Sequence, residues 1–115
     1  MNHHKSKRKF GRVRKVRNAL MKSLALSLVI NNKIKTTDAK ARELRPYVEK
    51  MVTQGRKDTV TSVRLLTSKI GPTGAKKLIK EISPKYMDRV GGYTRITKLP
   101  QRLSDGSKMA VIEFV

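Results

Sequence analysis

The first carboxylate in this chain is Asp38. Ahead of it, Met1 to Thr37 hold eleven lysines and arginines and no acid, whereas from Asp38 onward seventeen bases face eight acids. A folded body intersperses the two signs, so a one-signed leader of this length reads as an arm that takes shape against an anionic surface. Over all 115 residues the formal net charge is +20. A free compact particle with that excess repels itself, which points to a polyanion as the matching partner. Nucleic acid is the first candidate, because neutralising phosphates releases condensed counterions and gives tight, salt-sensitive binding.

The length suits one small domain with an appended tail. The absence of cysteine excludes disulfides and thiolate zinc sites. The basic N-terminus is not followed by the apolar segment and cleavage site of a secretory signal. The longest uncharged run, Ser23 to Asn32, is ten residues, against the roughly 20 that a membrane-spanning helix needs. These features predict a soluble, intracellular chain with no membrane partner.

Residues 2–12 contain one large apolar residue, Phe10. Too little surface can be buried there to offset the ordering entropy, so this arm is expected to be disordered in the free protein. From about Val13, the residues Val13, Val16, Leu20, Leu24 and Leu28 recur at helical steps, predicting an amphipathic helix with that stripe as its core face. Beyond Lys22 more than one face is apolar, so the second half of the helix should be enclosed, and Asn31-Asn32 ends it. Lys33 to Thr37 alternates as a short strand does. Thr37 or Asp38 caps a second helix with Ala41, Leu44, Val48, Met51 and Val52 inward; Pro46 should kink or split it, and Gly55 stops it. Thr59 to Ser68 predicts a third helix closed by Ile70-Gly71-Pro72, and Thr73 to Ile82 a fourth that ends before Ser83-Pro84. After Gly91-Gly92 the period falls to two. Tyr93 to Leu99 and Met109 to Val115 then form an antiparallel hairpin, with Ala110, Ile112 and Phe114 on one face of the last strand.

The predicted fold class is α+β: helix, strand, several helices, two strands, with the helices packed on one face of a small mixed sheet. Residues 1–12 are expected to be a basic nucleic-acid-binding arm and residues 13–115 a single domain.

The strongest candidate site is the run Lys5, Lys7, Arg8, Lys9, Arg12, Arg14, Lys15, Arg17 and Lys22, read as phosphate ligands in preference to a merely solvated charge run. In the segment Gly91-Gly92-Tyr93-Thr94-Arg95, paired glycines allow a close backbone approach, and Tyr93 and Arg95 could stack on bases or grip phosphate. An ordinary loop into a strand, with Tyr93 in the core, fits that spacing equally well. His3-His4 could bind Cu²⁺ or Ni²⁺ through the terminal amine, but with no other histidine in the chain they read as polar arm residues, and no metal is assigned. Catalysis finds no members: no cysteine, histidine confined to the tail, scattered carboxylates, and a Gly71-Pro72-Thr73-Gly74 turn without the lysine of a P-loop. Glu43 and Glu49 read as surface ion-pair partners.

Several stretches resemble one known family along the whole chain. They are His3, Lys5-Ser6, Arg8-Lys9 and Gly11-Arg12 in the arm, then Arg17, Ala19-Leu20, Leu24 and Ser27-Leu28. The most specific are Ile34-Lys35-Thr36-Thr37 with Lys40-Ala41-Arg42-Glu43-Leu44-Arg45, and Arg89-Val90-Gly91-Gly92-Tyr93-Thr94-Arg95-Ile96. The sequence looks like bacterial large-subunit ribosomal protein seventeen. Asn2 and His4 depart from its pattern, standing where arginines are common.

The resemblance implies a structural constituent of the 50S subunit in the cytoplasm. It implies binding to folded 23S rRNA near the exit-tunnel side, with ribosomal protein thirty-two as a neighbour and without cofactor, small-molecule substrate or enzymatic activity. Lys33, Lys35, Arg89, Gly91 and Gly92 complete the expected RNA contacts. A DNA-binding architectural protein would share the composition but not these motifs, and a nuclease would need an acid or metal cluster that the residues do not supply.

Overall fold

A computed structural model describes residues 13–57 and 59–115. The arm, residues 1–12, lies outside the described residues, as does Asp58. Helix α1 (Arg14–Asn31) begins weakly: Val13 gives its first turn no side-chain cap and no acid lies there. Its other end is well closed. Asn32 adopts a left-handed conformation (φ 64°), which asparagine tolerates, and donates its N–H to the Leu28 carbonyl at 2.7 Å. Lys77 Nζ, from far along the chain, reaches the orphaned Ile30 carbonyl at 2.6 Å. The second half of α1 is enclosed as expected, with Ala25, Leu28 and Val29 fully buried. Its first half departs from expectation: Val13 is 70% and Val16 50% exposed. The apolar stripe is present, but the body packs only from about Met21 onward.

Strand β1 (Lys33–Thr37) follows at once. Thr37 then caps α2 (Asp38–Gly55), its side chain accepting from the Lys40 N–H, with Asp38 beside the positive end of the dipole. Helix α2 runs unsplit through Pro46. The proline is exposed, as are its neighbour Arg45 and Arg42, whose carbonyl forfeits a donor, so water can satisfy that group. Helix α3 (Val60–Lys77) starts at a Thr59 cap that accepts from Ser62 N–H at 3.2 Å. It is two helical pieces joined at Gly71, whose φ of 86° and ψ of 168° are non-helical. The second piece does not stop at Ile82. It widens into a π turn (Leu78–Ile82) and tightens into a 3-10 turn (Ser83–Tyr86), where Pro84 sits at an early position that needs no donor.

Strands β2 (Thr94–Leu99) and β3 (Met109–Phe114) form the expected hairpin. The sheet order is β1-β3-β2, and both pairings are antiparallel. The sheet is therefore antiparallel throughout, not mixed, because β3 inserts between the two strands that would otherwise run parallel. Its inner face, Ile34, Thr36, Ala110, Ile112, Thr94 and Ile96, packs mainly on α2, and Leu28 and Leu44 lie in the same buried core. Glu49 does more than pair with Arg45. Its Oε2 accepts from the Thr94 N–H at 3.3 Å and the Thr94 hydroxyl at 2.8 Å, tying α2 to the start of β2. Helix α2 also presses closely on the chain after α3: a Cβ at Gly55 would stand 2.5 Å from Ser83 Oγ, which itself donates to the Val52 carbonyl.

Candidate nucleic-acid interface

Of the cations expected to hold phosphate, Lys5, Lys7, Arg8, Lys9 and Arg12 fall outside the described residues. Arg14, Lys15, Arg17 and Lys22 all lie on α1; Arg17 is half-buried and the others are exposed. Lys15 and Lys22, seven residues apart, share one side of the helix. None of the four has a carboxylate partner among the described residues. They ride on the half of α1 that the body leaves uncovered, so this stem presents cations with little protein competing for them.

A second cationic group follows from the strand register. Directly opposed residues of an antiparallel pair point to the same face. Lys33, Glu113 and Arg95 form one row, and Lys35, Val111 and Thr97 the next. These rows lie on the outer face, away from the helices, with Lys33, Lys35, Arg95 and Thr97 exposed. The fold thus brings Arg95 beside Lys33 and Lys35, some sixty residues earlier in the sequence. They are not equivalent. Arg95 sends Nε and Nη2 to Glu113 Oε1 at 3.1 and 2.9 Å, whereas Lys33 and Lys35 have no such partner among the described residues.

Of the two readings of the Gly91-Gly92-Tyr93 segment, Tyr93 takes the core one. Its side chain is fully buried, so its ring is not presented to a base, which corrects the stacking expectation. It lies 5.2 Å from the Tyr86 ring, and its hydroxyl contacts Thr53 Oγ1 and Arg56 Nη1. Gly92 has φ 68°, a conformation that by itself calls for glycine. Gly91 faces open space, and Val90 is 95% exposed. Arg89 is exposed; it donates to the Gly92 carbonyl, and its guanidinium carbon stands 6.0 Å from the Tyr86 ring centre. Burial pushes the Tyr86 hydroxyl above its ordinary pKa, and the nearby Arg89 charge opposes that rise.

This loop is held by a residue that sequence reasoning missed. Arg56 donates to the carbonyls of Met87 and Arg89 and to the Tyr93 hydroxyl. Its partners lie 31 to 37 residues downstream, so nothing in local spacing signals the role. Among the described residues no group of three or more histidines or acids could hold a metal, and no helix is long and apolar enough to cross a membrane.

Residues 20–115 match a family profile described as Ribosomal protein L17. This chain belongs to the ribosomal protein L17 family. It is similar to proteins named large ribosomal subunit protein bL17. That of Methylacidiphilum infernorum is 46% identical, covering 99% of this chain and 88% of the relative. That of Persephonella marina is 46% identical over all of this chain and 95% of the relative. The Nautilia profundicola protein is 43% identical over all of this chain and 98% of its own length. Membership makes the chain a ribosomal protein, a structural component and not an enzyme. The profile match covers the sheet cations Lys33, Lys35 and Arg95 but only Lys22 of those on α1, because it begins at residue 20 and continues through β3.

Proposed function

We propose that this chain is a structural constituent of the large ribosomal subunit that binds folded 23S rRNA near the exit-tunnel side and stabilises it by neutralising phosphate. The observation that carries the reading is the division of labour among cations. Arg42, Arg45, Arg95 and Arg102 each have a carboxylate partner in the protein. Arg14, Lys15, Arg17, Lys22, Lys33 and Lys35 have none among the described residues. Unpaired cations on an exposed helix and an open sheet face suit a polyphosphate surface.

In this reading residues 1–12 are an arm that threads into the RNA, and residues 13–115 are the body that docks behind it. The remaining candidates, Arg89, Gly91 and Gly92, edge the contact through a loop that Arg56 holds in shape. Ribosomal protein thirty-two is the proposed protein neighbour, on the strength of the family resemblance. The protein works in the cytoplasm as part of the ribosome, and binding requires no cofactor.

Large subunits purified from the source cell should retain the chain through a moderate salt wash. In competition, 23S rRNA fragments should displace the chain from duplex DNA. Subunits lacking the chain, or a preference for duplex DNA, would overturn the reading.

A further inference from the structure

Where α2 begins, at the hairpin end of the sheet, a cleft of about 330 Å³ is lined by Asp38, Arg42, Lys98, Leu99, Lys108 and Met109 among others. Its frame is fixed. Met109 pairs with Thr37 on one side and Leu99 on the other, and the Asp38 N–H donates to the Lys108 carbonyl at 2.8 Å. The volume lies at the lower end of the range for small-molecule sites and accommodates a nucleobase.

Two independent observations point to a ligand. Asp38 is 9% exposed, and its Oδ1 is shut off from water without a hydrogen-bond partner among the described residues. A buried acceptor without a donor is costly and uncommon. Its other oxygen, Oδ2, lies 3.2 Å from Arg42 Nε, and the Arg42 side chain is 49% exposed, free to swing outward. The second observation is that Lys98 and Lys108 are exposed and have no acid partner among the described residues.

The lining selects a ligand class. The cations suit phosphate, and the partly exposed Leu99 offers an apolar contact to a planar ring. The carboxylate asks for N–H donors. Guanine is the base whose pairing edge sets a ring N–H beside an amino group, two donors for one carboxylate. Adenine and cytosine place a donor beside an acceptor, and uracil sets its single N–H between two carbonyls.

We propose that this cleft binds a guanine nucleotide unstacked from the RNA partner, its base edge on Asp38 and its phosphates on Arg42, Lys98 and Lys108. Arg42 exchanges the carboxylate for phosphate as the base enters. The assignment rests on the RNA-binding reading above and adds a base-specific contact to it.

The test is an NMR titration of the full chain with GMP, AMP, CMP, UMP and GTP, and with the pentanucleotides UUGUU and UUAUU. GMP should shift the backbone signals of Asp38, Gln101 and Met109 saturably, at concentrations about tenfold below those AMP needs. UUGUU should bind more tightly than GMP and UUAUU. Asp38→Asn should abolish the preference for guanine. Lys98→Ala with Lys108→Ala, at exposed positions that leave folding intact, should weaken all the nucleotides alike by severalfold. Equal responses to the four mononucleotides would reduce the site to a phosphate contact and overturn the base assignment. No saturable shift would overturn the cleft itself, and GTP binding more tightly than UUGUU would overturn the RNA source. A chain that stays on washed large subunits but ignores GMP sinks this assignment alone; a chain that responds to GMP but leaves the subunits sinks the rRNA reading instead.

Discussion

The first half of α1 and the body from Asp38 onward use the same cations in opposite ways. In the body, four arginines have carboxylate partners: Arg42 with Asp38, Arg45 with Glu49, Arg95 with Glu113, Arg102 with Asp105. Its core side chains are covered, Leu44, Val48, Leu66 and Leu78 completely, although loop residues such as Val90 and Leu103 stand in the open. On the stem of α1, Val13 and Val16 stand in the open, and Arg14, Lys15 and Lys22 face solvent without an acid among the described residues. Much of the body is satisfied within the chain, whereas the stem is arranged for something outside it. A residue's contribution to stability should therefore fall sharply from one region to the other.

The largest difference should appear in the core. Leu28→Ala, at a fully buried position in the enclosed half of α1, should cost about 2–5 kcal/mol by chemical denaturation. Val16→Ala, on the uncovered half of the same helix, should stay within about 0.5 kcal/mol. Equal losses would erase the distinction between the two halves.

Close packing between α2 and the Ser83 turn comes next. Gly55→Ala would put a methyl 2.5 Å from Ser83 Oγ and should cost about 1–3 kcal/mol, read as a lower denaturation midpoint.

Tyr86 sharpens the comparison through pH. Its hydroxyl donates to the main-chain oxygen of Val115, and burial raises its pKa against the opposing charge of Arg89. The folded state therefore holds this proton more tightly than the unfolded chain. The resulting stability is fully present below about pH 10, the ordinary tyrosine value, and is lost as pH rises through the higher folded-state value. Tyr86→Phe should flatten that alkaline decline and, at neutral pH, cost about 1 kcal/mol for the missing hydrogen bond.

The smallest effect belongs to Arg102→Ala. The hydrogen bonds from Arg102 hold the Asp105 carboxyl far below its usual range, but both side chains are about half exposed in a surface loop. Solvent screening should leave the melting temperature unchanged within error.

Much of this division is written in local pattern. The Thr37 cap, the Gly71 interruption, the two late strands and the inward face of β3 follow from residue types a few positions apart. What escapes the sequence depends on contacts between distant segments. Periodicity marks Val13 and Val16 as an apolar stripe but carries no information on whether another element covers them. Alternation predicts three strands, but the order β1-β3-β2 is decided by which edge the hairpin occupies. A proline at position 46 predicts a disrupted α2, and its exposed setting removes the reason. Tyr93 fits core and surface equally well by spacing; Arg56 and Thr53, far off in the chain, gather around its hydroxyl and decide for the core. The cleft beside Asp38 joins residues from three parts of the chain, none distinctive alone.

The contrast between stem and body is tested most directly by the salt dependence of rRNA binding in two double variants. Replacing Arg14 and Arg17 by Ala should lower the slope of log K against log salt by about two units, roughly one for each phosphate no longer neutralised. Replacing Arg45 and Arg102 by Ala, whose charges are already matched within the protein, should leave the slope where it was. An unchanged slope in the first variant, or an equal drop in both, would contradict the account.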